Sequence, residues 1–184
     1  MPNWVFCNLS VTGEKTAVEA FDAEMRKPYP IFTYPEGQEN KGYGHLDGKW
    51  AMSEGGEFSF WNALAPTNLE DLEDYFTGGN WYGWNTSNWG VKWDAKVEDE
   101  DSYDYPSGEH SRTYRFDTAW SAPTGAFAAM CEKFQNLNLS LSYEEEQGWG
   151  GELESDDEGG VVQVEEYDIP DSHADYVKRD REDS

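Results

Sequence analysis

Apolar and polar residues alternate along the first segment of the chain, from Trp4 to Thr12. A period of two residues is typical of a strand that buries one of its faces. The residues that would share the buried face are Val5, Cys7, Leu9 and Val11. Between Glu14 and Lys27 the apolar residues recur every three to four positions, and Pro28 follows. This spacing predicts an amphipathic helix that ends before the proline.

The second half of the chain repeats this succession of strand and helix. A strand is predicted from Val91 to Val97 and another from Arg112 to Trp120, with the acidic segment Asp99 to Ser111 as the loop between them. A proline and a threonine at 123–124 open a second helix, whose apolar residues follow at helical spacing. The alternating segment Leu137 to Tyr143 predicts the strand after it.

The predicted elements follow the order strand, helix, insertion, strand, strand, helix, strand. This is the split β-α-β arrangement, in which two helices pack on one face of an antiparallel sheet. We therefore expect an α+β fold, a ferredoxin-like sandwich in topology, with no iron–sulfur function implied. The domain would span residues 1–167, with an insertion at about 28–90 between helix 1 and strand 2 and a C-terminal hairpin at about 149–167. Residues 168–184 would form a flexible acidic tail.

Acidic residues dominate the charge: 38 Asp and Glu against 13 Lys and Arg give a net charge of −25. Proteins that bind nucleic acid through its phosphates need a basic face, so this class is excluded. Trp4 and Phe6 would lie on the open face of the sheet, where RNA-binding domains of this topology stack bases, but nearby carboxylates would repel phosphate. Only 29 residues are Leu, Ile, Val or Phe, whereas nine are Trp and eleven Tyr. These numbers predict a core of aromatic rings inside an acidic surface.

Residues that bind metals or cofactors are few and unfavourably spaced. Cys7 and Cys131 lie in apolar patterns and are expected to be reduced core residues, because no CxxC pair is present. His45, His110 and His173 form no HxxxH or HExxH motif. We therefore expect no metal, no cofactor and no catalytic residue. The chain begins without the apolar segment of a signal peptide and has no apolar run long enough to cross a membrane, so a location in the cytoplasm of a host cell is expected.

Several short motifs occur in an order that resembles a known family. They are Met1–Trp4 with Asn8, Phe60–Asn62, Trp84–Asn85, Asn88–Asp94, Phe116–Pro123 and Leu141–Glu145. Over about residues 1 to 150 the chain resembles the YubB-type ferredoxin-like family of phage and plasmid proteins. The most specific part is Trp-Gly-x-Lys-Trp-Asp followed by Phe-Asp-Thr-Ala-Trp. The resemblance implies the fold and a gene on a mobile element, but it implies no particular activity and supplies no functional residues.

The most distinctive side chains are tryptophans and asparagines near the predicted hairpin, together with one aspartate. The candidate site comprises Trp61, Asn62, Trp84, Asn85, Asn88, Trp89, Trp93, Asp117 and Trp120. One interpretation is a recognition pocket, in which rings supply contact area and polar groups supply directional hydrogen bonds. The other is that the rings pack the junction between insertion and sheet while the polar residues cap turns. Across the predicted hairpin, a charge ladder would join Lys92, Asp94, Lys96, Arg115 and Asp117.

Three classes of function fit these features. The first is a non-enzymatic accessory protein whose acidic surface engages a basic host or element protein, since electrostatic steering favours a partner of opposite charge. In its sharpest form the chain mimics the charge of nucleic acid and occupies a DNA-binding protein of host defence or replication. The alternative is a domain that binds a small molecule or nucleotide in the aromatic–asparagine pocket. A structural module of a larger assembly is a third interpretation.

Overall fold

The computed structural model describes residues 3–33, 49–67, 74–75, 80–146 and 148–168. The strands are β1 (Trp4–Glu14), β2 (Pro30–Thr33), β3 (Lys49–Met52), β4 (Val97–Asp104), β5 (Glu109–Ala119), β6 (Asn138–Glu145), β7 (Trp149–Ser155) and β8 (Val161–Asp168). The helices are α1 (Lys15–Met25), α2 (Trp81–Asn88) and α3 (Thr124–Lys133), and Phe60–Asn62 form a turn of 3-10 helix. Six strands form one antiparallel sheet in the order β4-β5-β1-β6-β7-β8, while β2 pairs with β3 alone.

Strands β4, β5, β1 and β6, together with α1 and α3, reproduce the predicted split β-α-β arrangement. The central strand β1 pairs antiparallel with β5 on one side and with β6 on the other. In this register Cys7 lies between Phe116 and Tyr143. The predicted alternation is confirmed, because Val5, Cys7, Leu9 and Val11 are all buried. The α+β, ferredoxin-like prediction is therefore confirmed.

Aromatic rings fill much of the core between the helices and the sheet. The Phe21 ring of α1 contacts the rings of Phe134 and Tyr114 at centroid distances of 4.7 and 6.0 Å. Phe127 and Met130 of α3 are buried against the same face. Each ring removes a large apolar area from water, so a core with few aliphatic side chains is still stabilising.

A network of charged groups fixes α1 to the sheet. The Asp22 carboxylate accepts hydrogen bonds from Arg26 Nε at 2.8 Å and from the Tyr114 hydroxyl at 2.9 Å, and Arg112 lies 3.0 Å away. Arg26 and Arg112 also both contact Glu100 of β4. Burial and the Asp22 carboxylate raise the pKa of Tyr114 above its ordinary range, so its hydroxyl remains a donor.

The insertion packs against the same core. Within the insertion, Pro30–Thr33 form β2, and the Phe58 ring reaches the Tyr114 ring at a centroid distance of 4.8 Å. The Asn62 side chain donates hydrogen bonds of 2.9 Å to the carbonyl oxygens of Met25 and Lys27. These carbonyls lie at the end of α1 and just after it, where no helical N–H group remains to bind them. Asn62 therefore joins the insertion to the end of α1.

The strand predicted at Val91–Val97 is wrong. Strand β4 begins at Val97, and the segment expected to be an acidic loop supplies most of this strand. Five of its eight residues are Asp or Glu, so it shows no apolar alternation. An edge strand is under little pressure to bury side chains, and the hydrogen bonds to β5 are enough to place it. Arg112 and Arg115 of β5 offset part of its charge.

The predicted C-terminal hairpin is confirmed as β7 and β8. Because β7 pairs with β6, the hairpin enlarges the expected four-stranded sheet to six strands. The sheet therefore ends in β4 on one side and in β8 on the other, and β8 exposes Val161, Val162 and Val164. Of the predicted tail, only Asp168 lies within the described residues, as the last residue of β8.

Candidate functional site

Three tryptophans of the predicted site form a cluster at the junction of insertion and sheet. Trp61 stacks on Trp84 with their planes 12° apart, and Trp89 contacts these rings at centroid distances of 5.9 and 5.4 Å. Trp89 has no exposed surface, and its indole N–H donates to the carbonyl oxygen of Leu64 at 2.8 Å. These contacts agree with the interpretation that the rings pack the junction.

Hydrogen bonds within the protein occupy the predicted asparagines. Asn85 accepts from the Tyr75 hydroxyl and donates to the carbonyl oxygen of Lys92, both at 2.8 Å. Asn88 donates to the carbonyl oxygen of Trp84 at 2.9 Å. Because Asn62 also binds backbone carbonyls, all three amides hold the insertion together. The geometry therefore gives no support to an aromatic–asparagine ligand pocket.

The other two predicted tryptophans, Trp93 and Trp120, lie on the surface. The Trp93 ring lies between the rings of Trp4 and Trp120, at centroid distances of 6.3 and 6.4 Å. The amine of Lys92 lies 4.3 Å from the Trp93 centroid, 5.0 Å from that of Trp120 and 5.9 Å from that of Tyr82. We call these five residues the aromatic shelf; all four rings are exposed, Trp120 by 48%. The shelf already holds one cation on its rings.

The backbone at Trp120 adopts a conformation that side chains normally avoid. Its φ of +68° is the only positive value at a non-glycine residue in the described part of the chain. The Trp120 N–H donates to the carbonyl oxygen of Asn3 at 2.9 Å, and the Thr118 hydroxyl donates to that of Ser121 at 2.7 Å. These bonds hold the bend between β5 and α3 and direct an exposed ring outward. A positive φ at an exposed aromatic residue marks Trp120 as a candidate contact residue.

A groove of about 430 Å³ crosses the open face of the sheet beside the shelf. Its walls and floor are formed by Phe6, Cys7, Asn8, Glu98, Asp99, Arg115, Phe116, Asp117, Ser142, Tyr143, Glu144 and Tyr167. We call it the acidic groove. Trp4 and Phe6 are alternate residues of β1 and share this face, so shelf and groove are continuous. Phe6 is 51% exposed and lies opposite Asp117 in the β1–β5 pair.

Negative charge prevails in the acidic groove. Arg115 is bound by two carboxylates of β4, Asp99 at 2.6 Å and Asp101 at 2.8 Å. Within the described ranges, no donor group contacts the carboxylates of Glu98 or Asp117. Partial burial and the nearby Glu98 charge raise the pKa of Asp117. The groove thus contains one cation, Arg115, that is already bound by carboxylates. It also contains two carboxylates, those of Glu98 and Asp117, that no cation of the described residues binds.

The charge ladder predicted around Asp94 is wrong. The Asp94 carboxylate faces the insertion, where it accepts from the Ser59 hydroxyl and from the N–H groups of Phe60 and Ala95, the latter two at 2.7 and 2.8 Å. Burial raises the pKa of Asp94 to about 6 in spite of these bonds. Because the strand begins only at Val97, Asp94 lies before the hairpin and holds the start of the 3-10 helix.

The two cysteine thiols are enclosed in the core. Cys7 and Cys131 are free and buried, as predicted, and burial raises the pKa of each thiol to about 12. The thiolate that acts as a nucleophile is therefore scarce at neutral pH.

In the part of the chain that the structure describes, no group of three or more His, Cys, Asp or Glu side chains could hold a metal ion. In the same part, every helix is too short or too polar to cross a membrane.

The structure thus divides the nine predicted residues. Trp61, Trp84 and Trp89 and the three asparagines lie in or around the junction, whereas Trp93, Trp120 and Asp117 lie on the shelf and groove. Neither Lys92 nor Phe6 is among the nine residues predicted for the site. The alternation of β1 places Phe6 on the open face of the sheet. The contact between Trp93 and Trp4 could not be predicted, because it depends on β4 beginning only at Val97.

Comparisons with known proteins agree with this architecture. The sequence model of a family described as "Ferredoxin-like domain in Api92-like protein" matches residues 92–183. The crystal structure of the protein Api92 from Yersinia pseudotuberculosis superposes with a TM-score of 0.56 at 10% sequence identity, over 92% of this chain and 98% of that chain. At this identity the likeness shows the fold alone. No curated protein matches the sequence significantly. Neither description names an activity, a ligand or a partner.

Proposed function

Because the chain belongs to the family of ferredoxin-like domains in Api92-like proteins, in which helices pack on one face of a sheet, we propose that the other face binds a basic segment of a partner protein. The chain would thus act as a non-enzymatic binding protein. The observation that carries the proposal is the continuity of the aromatic shelf with the acidic groove. Exposed rings supply contact area, and unpaired carboxylates supply the preference for a cation.

The composition of this face is that of a protein interface. Contiguous exposed aromatic side chains are rare on a surface that only faces water, and Trp and Tyr are enriched among the residues that dominate binding energy. Trp120 supports this view, because its ring is exposed at the expense of an unfavourable backbone conformation. The rings would form the centre of the interface and the carboxylates its rim.

The charge of the chain favours a basic partner. A net charge of −25 attracts a positively charged protein over a distance of about 10 Å at moderate salt and accelerates its encounter. Association would therefore weaken as salt is added. The YubB-type resemblance adds the finer proposal that the gene lies on a phage or plasmid and that the partner is a host or element protein. If this partner binds DNA, the chain acts as a mimic of nucleic-acid charge.

Affinity purification with charge-matched variants tests the proposal. The double variant Glu98→Gln/Asp117→Asn removes two charges from the acidic groove. The control, Glu19→Gln/Glu132→Gln, removes two exposed charges from α1 and α3. We expect a basic protein to be retained by the wild type and by the control at low salt, to be depleted on the groove variant, and to cross-link to residues of the shelf or groove.

Two results would overturn the proposal. One is a groove variant that retains the same proteins as the control, since the charge of the groove would then be irrelevant. The other is a retained set with no basic protein in it. Displacement of the partner by duplex DNA would support the mimicry of nucleic acid, whereas simultaneous binding of both would exclude it.

A further inference from the structure

Phe6 and Asp117 lie directly opposite each other on β1 and β5, on the face of the sheet that no described helix covers. We infer that this pair holds an arginine side chain of the partner, with the guanidinium stacked on the Phe6 ring and hydrogen-bonded to the Asp117 carboxylate. The inference rests on the proposed function and names the residue type that the acidic groove recognises.

The register brings the two groups within reach of one ligand. Directly opposed residues in an antiparallel pair have Cβ atoms about 4.5 to 5.5 Å apart. A guanidinium is a flat group whose face packs on an aromatic ring while its edge donates two parallel hydrogen bonds to a carboxylate. Phe6 has half of its surface exposed, so its ring is accessible for stacking.

The same face already holds one guanidinium between two carboxylates. Two residues before Asp117 on β5, Arg115 is bound by Asp99 and Asp101 at 2.6 and 2.8 Å. Asp117 and Glu98 both line the groove, and the repulsion between two nearby carboxylates is relieved when a cation comes between them. The protein thus pairs Asp99 and Asp101 with its own arginine and leaves Glu98 and Asp117 for a partner.

Arginine is favoured over lysine for a physical reason. The ammonium group of lysine is compact and strongly hydrated, so it loses more on leaving water and makes no flat contact with a ring. Attraction by net charge alone would not distinguish the two side chains. Preference for arginine is therefore the property that separates a built site from a general acidic surface.

NMR titration of the full chain with short peptides tests the inference. The probes are acetyl-Gly-Arg-Gly-amide, its lysine counterpart and its uncharged citrulline counterpart. We expect the arginine peptide to bind about tenfold more tightly than the lysine peptide, with shifts at Phe6 and Asp117, and the citrulline peptide not to bind measurably. A tenfold preference corresponds to about 1.4 kcal/mol.

Matched variants show which groups create the preference. Phe6→Leu keeps an apolar side chain without a ring, and Asp117→Asn keeps the shape without the charge; each is expected to reduce the arginine preference at least threefold. Glu154→Gln removes a carboxylate from the same face of β7, outside the groove, and should leave the preference unchanged. Equal binding of arginine and lysine peptides, or equal losses in Asp117→Asn and Glu154→Gln, would overturn the inference. Matching unfolding midpoints confirm that the variants fold.

Failure of this inference is distinguishable from failure of the proposed function. If the peptides bind without preference while the groove variant still loses its partner in the affinity experiment, the face is an interface that reads charge alone. If the groove variant keeps its partner, the interface lies elsewhere, whatever the peptides do.

Discussion

Asn85 accepts a 2.8 Å hydrogen bond from the Tyr75 hydroxyl inside the aromatic junction, where both residues are buried. With its amide N–H bound to the Lys92 carbonyl oxygen, one asparagine satisfies two polar groups that have little access to water. The junction is thus held by a specific polar contact as well as by ring packing, and this contact has consequences for stability.

Asn85→Ala is expected to lower the free energy of unfolding by about 2 to 4 kcal/mol. The substitution removes the hydrogen bond from the Tyr75 hydroxyl and the one to the Lys92 carbonyl oxygen, and the loss of such a bond at a buried site costs about 1 to 3 kcal/mol. Urea unfolding followed by tryptophan fluorescence measures the change. Asn88→Ala, which removes one bond at a half-buried site, is the control and should cost less than half as much. Equal losses in the two variants would contradict the account of the junction.

The buried carboxylate of Asp94 predicts a pH dependence. Its pKa is raised to about 6 in the folded protein, against about 3.9 in an unfolded chain. The folded state therefore binds the proton more tightly, and the stabilisation present below pH 4 is lost as the pH rises through 6. Relative to Asp94→Asn, the wild type should lose roughly 2 to 3 kcal/mol between pH 4 and pH 7. Urea unfolding of both proteins at each pH gives this difference, and a constant difference would refute it.

Trp120→Gly is expected to be more stable than Trp120→Ala by about 1 kcal/mol. At a φ of +68° alanine keeps the unfavourable conformation, whereas glycine adopts it without cost. Both variants lose the same exposed ring, so the comparison isolates the backbone. Chemical denaturation of the two variants measures the difference. If the alanine variant were equally stable, the bend after β5 would not be strained. Both variants should also weaken binding of the partner.

Gly125→Ala is expected to destabilise the protein by about 2 to 3 kcal/mol or to prevent folding. A Cβ atom at this position of α3 would lie 2.0 Å from the carbonyl oxygen of Asn88, and backbone there cannot move without shifting α2. Gly83→Ala in α2 is the control, because its Cβ would meet only the end of the Asn80 side chain. The control should be neutral or gain up to about 1 kcal/mol from helix propensity. Thermal unfolding distinguishes the two, and similar midpoints would show that the helices are not in close contact.

The sequence predicts those parts of the fold in which burial imposes a period. Strand β1 and the helix with Phe127 and Met130 have one apolar face each, and both are found where they were expected. Strand β4 has no such face. Its position is set by hydrogen bonds to β5 and by the arginines of that strand, and neither leaves a period in its own residues.

For the candidate site, residue type alone was not decisive. Trp89 and Trp93 are four residues apart and chemically identical, yet one is wholly buried and the other exposed. A tryptophan is favourable both in a core and at an interface, because its ring is large and its N–H needs a partner. The burial of Trp89 and the exposure of Trp93 depend on where the chain leaves the junction and enters β4. This position is set by tertiary contacts and not by the local sequence.

The two edges of the six-stranded sheet differ, and this difference limits edge-to-edge pairing between copies of this chain. If the β4 strands of two copies paired, five carboxylates would face five others, and this repulsion disfavours association at the β4 edge. The exposed valines of β8 make pairing between copies at the β8 edge more favourable. A dimer formed through β8 leaves only the two β4 edges of the described sheet available, and these repel each other. Edge-to-edge association of the folded chain would therefore stop at dimers and would not extend into fibrils.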